Sequence, residues 1–514
     1  MESITTLIVF AAYLVMMLGI GWISSGRASN NLSAYYLADR KLNKWVVALS
    51  AQASDMSGWL LMGVPGAVFL SGLSEMWICI GLAIGTYVNW KTVAQKLRVY
   101  SHVCGDSITL PDFFANRFHD RTGLLRMISA LCILFFFLLY TASGFVACAK
   151  LFSTTFGLSY NVALLAGILV IVSYTFLGGF LAVCWTDFVQ GTLMLIALVM
   201  VPVAIIREAG WFSGTVDTLN AMNPFLLNIF TNAGTGKAIS FIGLCSGLAW
   251  GLGYFGMPHI LVRFMAIDNA KKIREARWIA CSWVAISLAA AVIIGLLGRH
   301  FVASRGIDVA DAETIFMLMI KGLFPTIIAA VFMVAILAAI MSTADSQLLV
   351  SASAFSSDFY KTILRKKATN RELVFVSRAA VVLIAVLAGG LAYFGNQSGD
   401  TSLLVIVRKV MDLVSFAWSG FGAAFGPLVI LSLYWRRTNF PGAVAGMIVG
   451  AATVIIWKLV LSPMGDTVPL FKLYELAPGF ILSLLTIVIV SLCTRPPAKE
   501  IGEEFDRIAK ESPF

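Results

Sequence analysis

The sequence predicts an all-α polytopic membrane protein of about thirteen transmembrane helices, of which the second and the seventh are broken. Three observations predict it. Charged residues make up only 12% of the 514 residues, roughly half the ~25% usual in soluble domains. The apolar residues come in blocks of about 20 or more, the length that crosses a ~30 Å hydrocarbon core at ~1.5 Å per residue. Two of those blocks carry glycine and proline clusters that weaken and interrupt a helix.

In order, the blocks run roughly over 4–24, 45–70, 74–92, 124–152, 160–180, 184–206, 237–256, 276–298, 320–354, 374–395, 402–433, 440–461 and 470–493. The first, TLIVFAAYLVMMLGIGWI, has only Glu2 before it as a charge and lacks a small-residue cleavage site. It reads as a retained span, not as a signal peptide. No stretch between blocks is long enough to fold as a separate soluble domain.

Lys and Arg gather after odd-numbered blocks. Arg27, Arg40, Lys41 and Lys44 follow the first; Lys91, Lys96, Arg98, Arg117, Arg121 and Arg126 follow the third. Arg263, Lys271, Lys272, Arg274 and Arg277 follow the seventh; Lys361, Arg365, Lys366, Lys367 and Arg371 follow the ninth. Basic loops stay in the cytoplasm, so the N-terminus is expected outside and the C-terminus inside. This bias, with weak attraction to anionic lipid, accounts for the net charge of +10, and no nucleic-acid partner is implied. The eight cysteines and four histidines form neither CxxC nor ligand-spaced pairs, which argues against a disulfide framework or a zinc site. A P-loop and a repeated filter loop are missing, which removes support for an ATP-driven pump and for a channel.

Charges inside the blocks are few, so each can be weighed. Asp55 lies about ten residues into the second block, hence roughly 15 Å deep. A carboxylate there costs about 2.5–3.5 kcal/mol on insertion scales. It is either a structural Asp bonded to a neighbouring helix or part of a cation or substrate site. Gly58, Gly63 and Pro65 favour the second reading. A helix break persists in a bilayer only where the freed backbone groups find protein partners or line a wet cavity. Such a break exposes carbonyl oxygens to a hard cation.

The seventh block carries GLAWGLGYFGMPHI, with Gly247, Gly251, Gly253, Gly256 and Pro258 around Trp250 and Tyr254. It lies five spans after the second, so the two cross in opposite directions. Paired interruptions in inverted halves point to a transporter's binding site; close helix packing explains one such segment better than two. In the ninth block, AAIMSTADSQLLVSAS brings Ser342, Asp345 and Ser346 to one helical face beside Thr343. These hydroxyls either bond back to their own helix or, with the acid, face an ion. Asp187, in GGFLAVCWTDFVQ, either caps the sixth helix near the cytoplasmic surface or is a third acid at membrane depth.

SAQASDMSGWLLMGVPGAVFLSG, SYTFLGGFLAVCWTD, GLAWGLGYFGMPHILVRFMA, LAAIMSTADSQLLV and SFAWSGFGAAFGP together resemble the sodium:solute symporter family, closest to its proline-carrying branch. The spacing of Arg437, Gly442–Ala443, Gly446 and Gly450 is also similar, and the likeness runs from about residue 5 to 495. The resemblance implies a LeuT-type 5+5 inverted repeat built from spans 2–6 and 7–11, preceded by one span and followed by two. It implies a single transporter domain over 1–495, with core repeats at about 45–206 and 237–433, and a cytoplasmic tail at 496–514.

By the same resemblance, sodium binds to the carbonyls of Ala53, Met56 and Ala339 and the hydroxyls of Ser342 and Thr343, with Asp55 supplying nearby negative charge. The matching solute positions are Ser57, Trp59, Gly63, Tyr140, Trp250, Tyr254 and Pro258. Their aromatic walls suit a small zwitterion with an apolar ring. Asp187, Ser342, Asp345 and Ser346 resemble a second cation site. Two positions depart from the branch: Met257 stands where Gln is expected, and Asp345 where relatives often carry Ser.

The expected activity is sodium-coupled import of L-proline across a bacterial cytoplasmic membrane. Sodium acts as coupling ion, no other cofactor is needed, and no obligate protein partner is implied. The alternatives are another small amino acid, a betaine-like solute, or a transporter-like sensor, although the tail is too short for a signalling domain. An enzyme would need a nucleophile–base pair, which the sequence does not present.

Overall fold

The computed structural model describes residues 2–28, 32–175, 179–208, 211–397 and 409–511. Residues 176–178 and 402–408, expected at the ends of the fifth and eleventh spans, lie outside the described residues. Among those described, ten helical stretches are long and apolar enough to cross a membrane. They are Ile4–Ser24, Trp59–Thr92, Leu124–Phe156, Phe180–Glu208, Ala270–Arg305, Thr326–Leu364, Asn370–Gln397, Val410–Tyr434, Phe440–Met464 and Leu476–Cys493. The expected thirteen blocks differ from these ten at the second, fifth and seventh. The second divides after Asp55, the fifth is the shorter helix Tyr160–Thr175, and the seventh divides before Pro258. Exposed apolar residues recur at helical spacing, as at Ile481, Leu485 and Ile489, which gives the bundle an oily rim suited to lipid.

The centre is Thr326–Ser353, buried along most of its length. Around it pack Lys44–Asp55, Leu124–Phe156, Phe180–Glu208, Asn370–Gln397 and the N-terminal helix Glu2–Ala28. Val410–Tyr434 forms a second buried axis against Leu124–Phe156, Phe440–Ile456 and Leu476–Cys493.

Each division has a local cause. Asn43 caps Lys44–Asp55 by accepting from the Trp45 and Val46 amides, both at 3.0 Å. The helix ends where Met56 turns to φ −86°, ψ 83°. The chain re-enters helix through a π-turn at Trp59–Gly63, in which the Val64 amide reaches back to the Trp59 carbonyl. That wider turn sits immediately before Pro65, which has no amide to offer. In the seventh segment, Phe241–Ala249 tightens to a 3₁₀ stretch at Trp250–Phe255. Met257 is extended, and Pro258 restarts helix at Pro258–Ala266, at the position where a missing amide costs nothing.

Several expectations need correction. The fold is helical throughout its spans, and Thr231–Asn232 with Lys237–Ala238 form a short antiparallel hairpin ahead of the seventh, so its helix starts at Phe241, not at about 237. The ninth block is divided at Phe324–Pro325, with Ile315–Leu323 a separate helix, because proline cannot continue the ladder. Arg40 is not a solvated loop charge. It is buried and donates to Ser101 Oγ, to the carbonyls of Ser101, Ser107 and Met265, and to Asp106. These bonds hold Ala38, Asp39 and Arg40 in left-handed backbone, unfavourable by about 1–2 kcal/mol per residue. Burial draws the Arg40 guanidinium down to about 10, opposed by Asp106. The tail forms the helix Lys499–Glu511, whose Phe505 meets Tyr100 and whose Asp506 pairs with Arg436.

The 3₁₀ stretch fits only because glycine stands at Gly253: a Cβ there would overlap Trp418 Nε1, which donates to the Trp250 carbonyl at 2.8 Å. Gly253→Ala is therefore expected to destabilise the fold by about 1–3 kcal/mol, the usual cost of overpacking. Thermal unfolding in detergent checks it, and Trp418→Phe added to the same chain should recover part of the loss.

Candidate ion and solute site

The helix break sets free particular carbonyls. In an unbroken helix the Ala53 carbonyl would accept from the amide of Ser57. Instead the Ser57 amide bonds to the Asp55 carbonyl at 3.1 Å. The Ala53 carbonyl turns to the ninth block and accepts from Ser342 Oγ at 2.7 Å and, more loosely, from Thr343 Oγ1 at 3.4 Å. Both hydroxyls also reach the Ala339 carbonyl, at 3.1 and 3.2 Å. Four of the expected sodium ligands thus meet in one cluster of neutral oxygens, all buried. Met56 lies at the break itself, outside helical geometry, and its amide bonds to the Gln52 carbonyl.

Asp55 faces another way. Its Oδ2 accepts from the Tyr254 hydroxyl at 2.7 Å, while Oδ1 is buried without a hydrogen-bond partner. Its carbonyl, freed by the break, accepts from Trp59 Nε1 at 2.9 Å and the Tyr140 hydroxyl at 3.3 Å. Ser57, Trp59, Tyr140 and Tyr254 are thereby drawn around one aspartate. Trp250 joins through aromatic contacts: Trp418 bonds to its carbonyl and meets Tyr254 edge-on, with ring centres 5.0 Å apart. The Trp250 ring stacks on Tyr474 at 5.1 Å. Asn89 holds the Tyr254 carbonyl at 3.0 Å. Two expected residues stand apart: Gly63 lies one turn on, against Met411, and Pro258 starts the next helix.

The second expected group is more changed. Asp187 is the eighth residue of Phe180–Glu208, too far inside to cap it, so the capping reading falls. Its Oδ2 accepts from Arg263 at 2.8 Å and from Ser50 Oγ at 2.6 Å. Asp345 accepts from the Tyr174 hydroxyl at one oxygen and from Ser346 Oγ at 3.2 Å at the other. Arg263 is fully buried in Pro258–Ala266 and joins the two acids, since the nitrogen that holds Asp187 also donates to Ser346 Oγ at 2.6 Å.

Arg263 was expected in a basic loop, and that expectation is corrected here. The signal for its burial was present in ILVRFMA, a lone arginine with apolar neighbours on both sides. Tyr174, Ser50, Asn89 and Trp418 also escaped the sequence reading, because their roles depend on partners far away in the chain.

The geometry thus gathers neutral oxygens, a deep carboxylate and aromatic walls at two helix breaks. That arrangement is the hallmark of an ion-coupled transporter core. Residues 35–450 match the sodium:solute symporter family, and the chain belongs to that family of secondary transporters. A relative from Staphylococcus aureus (strain JH9), the sodium/proline symporter, is 44% identical over 507 residues, covering 98% of this chain and 95% of that one. Among solved structures, a Na+-coupled sialic acid symporter in a substrate-bound outward-open state superposes with a TM-score of 0.79 at 18% identity, covering 96% of this chain and 99% of that chain. MhsT in complex with L-phenylalanine superposes at 0.53 with 14% identity, covering 88% of this chain and 98% of its own. These likenesses show a shared fold.

The Tyr254–Asp55 contact lends itself to a double-mutant cycle. Tyr254→Phe leaves a buried carboxylate without its donor and is expected to cost about 1–3 kcal/mol of stability. Asp55→Asn in the same chain should make the loss smaller than the sum of the two single changes, as thermal unfolding of the four proteins would show.

Proposed function

We propose that the chain imports L-proline with sodium by alternating access, in a bacterial cytoplasmic membrane, with its N-terminus outside and its C-terminus in the cytoplasm. The observation that carries this reading is the Ala53 carbonyl, released by the helix break and met by Ser342 and Thr343. Sodium is a hard cation that neutral carbonyl and hydroxyl oxygens can hold in place of water. In this reading it takes the carbonyls of Ala53, Met56 and Ala339 and the two hydroxyls, with Asp55 supplying nearby compensating charge. Solute lies against Ser57, Trp59, Gly63, Tyr140, Trp250, Tyr254 and Pro258. The name of the 44% identical relative supports proline as that solute.

The architecture in this reading is thirteen spans in one transporter domain over 1–495, followed by the tail at 496–514. Its core is a 5+5 inverted repeat, at about 45–206 and 237–433, whose broken members are the segments around Met56 and Met257. The antiparallel placing of the two breaks in the sequence supports it. Asp187, Ser342, Asp345 and Ser346 form a second cation position. Met257, wholly buried at the second break, favours a further reading in which the solute is another small amino acid or a betaine-like compound.

Sodium and solute bind with a reciprocal coupling free energy, so weakening one site weakens the other's apparent affinity. Ser342→Ala and Thr343→Ala each remove a ligand of a desolvated ion, worth about 1–3 kcal/mol. Each should raise the sodium concentration for half-maximal uptake roughly tenfold, at 1.4 kcal/mol per decade. An unchanged sodium response in both variants would overturn the ligand assignment. Counterflow in proteoliposomes against a panel of amino acids and betaines tests the solute: proline should exchange, and Met257→Gln should not be needed for it to do so.

A further inference from the structure

Arg263 has no place in the sodium or solute set, yet it is a fully buried cation. Its Nε donates to Ser50 Oγ at 2.6 Å, one terminal nitrogen to the His259 carbonyl, and the other to Asp187 Oδ2 and Ser346 Oγ. The guanidinium lies over the Phe180 ring, 5.5 Å from its centre. Asp187 and Ser346 are two of the four residues of the second cation position, and one arginine nitrogen already bridges them.

The guanidinium is a planar cationic fork, and these bonds fix it in place. A free sodium ion at the same place would need the same carboxylate and hydroxyl oxygens. It would also stand within a few ångströms of a unit positive charge in a poorly screened interior. One position does not hold both cations. The other acid adds little opening: one Asp345 oxygen accepts from Tyr174, and the other shares with the Ser342 carbonyl the single proton of Ser346 Oγ, at 3.2 and 2.9 Å.

We propose that Arg263 is a tethered cation that fills the second position and thereby fixes coupling at one sodium per solute. This inference rests on the symporter reading above. The arginine neutralises Asp187 throughout the cycle and is never released, so its charge does no transport work. Two buried oxygens on the Asp187 helix, Asp187 Oδ1 and, one turn on, Gln190 Oε1, have no hydrogen-bond partner. They are on hand for an ion once the guanidinium is taken away. Arg263→Gln should therefore turn the position into a second sodium site, and adding Asp187→Asn should abolish it again.

Binding of radiolabelled sodium to the purified full-length chain reads this directly, without reference to solute. The native protein should bind one sodium per chain, Arg263→Gln two with a sigmoidal curve, and the Asp187→Asn/Arg263→Gln double variant one. The accumulation ratio of L-proline in proteoliposomes at zero membrane potential gives the second readout. A tenfold sodium gradient should sustain about tenfold accumulation by the native chain and about a hundredfold by Arg263→Gln, because the ratio follows the ion count in the coupled cycle. Two sodium ions on the native chain, or a folded Arg263→Gln protein that still binds one, would overturn the proposal. Should Arg263→Gln fail to reach the membrane, the native count decides, and Arg263→Lys must keep it. Uptake by the native chain that ignores sodium altogether would instead sink the symporter reading itself.

Discussion

In lipid no water is present to satisfy a backbone carbonyl, so every one must find a partner inside the protein. A continuous helix meets that demand alone; the segment from Lys44 to Ser71 does not. Once the chain leaves helical geometry at Met56, the carbonyls of Ala53 and Asp55 lose their usual donors. Their replacements come from two other helices and from the segment itself: Ser342 and Thr343 for the first, Tyr140 and the segment's own Trp59 indole for the second. The site is the set of side chains that repairs this defect. The place of this cluster, its neutral oxygens and its aromatic lining follow from that one requirement.

The same requirement explains why the centre is crowded with unusual residues. The second break needs Gly253 so that Trp418 can reach the Trp250 carbonyl, and Asn89 so that the Tyr254 carbonyl is held. Tyr254 is then fixed tightly enough to present its hydroxyl to Asp55. The two breaks are therefore linked through a tyrosine on one and a carboxylate on the other. Movement of either broken segment strains the partner's hydrogen bonds, which is the kind of mechanical connection that alternating access calls for.

Much of this was legible in the sequence wherever the signal is local. Glycine and proline inside apolar blocks marked both breaks, and the run from Ser342 to Ser346 marked the helix that answers the first. What escaped were features set by distant pairs. Arg263 and Arg40 were read with the basic loops, because hydropathy counts a charge without knowing its partner. Asp187, Ser50 and Ser346 make the first a core residue; Ser101, Ser107 and Met265 do so for the second. The division at Pro325 was hidden by apolar residues on both sides, and the hairpin near Thr231 by its brevity. Asp187 was ambiguous for a related reason: where its helix begins decides between capping and burial, and boundaries are the least certain part of a pattern reading.

Gly81 and Gly85 of Met76–Thr92 lie against Gly247, Leu248 and Gly251 of the interrupted segment, so closely that a Cβ at either position would strike the opposing backbone. Each helix carries its glycines four residues apart, so the two chains touch main chain to main chain over a full turn. Most helix pairs interlock ridge into groove, and to slide they must first unmesh. Here, at Gly81, Gly85 and Gly251, the nearest atoms across the contact are all backbone. The contact is a plain bearing: it keeps the broken helix close to its neighbour while opposing little resistance to a shift along the common direction.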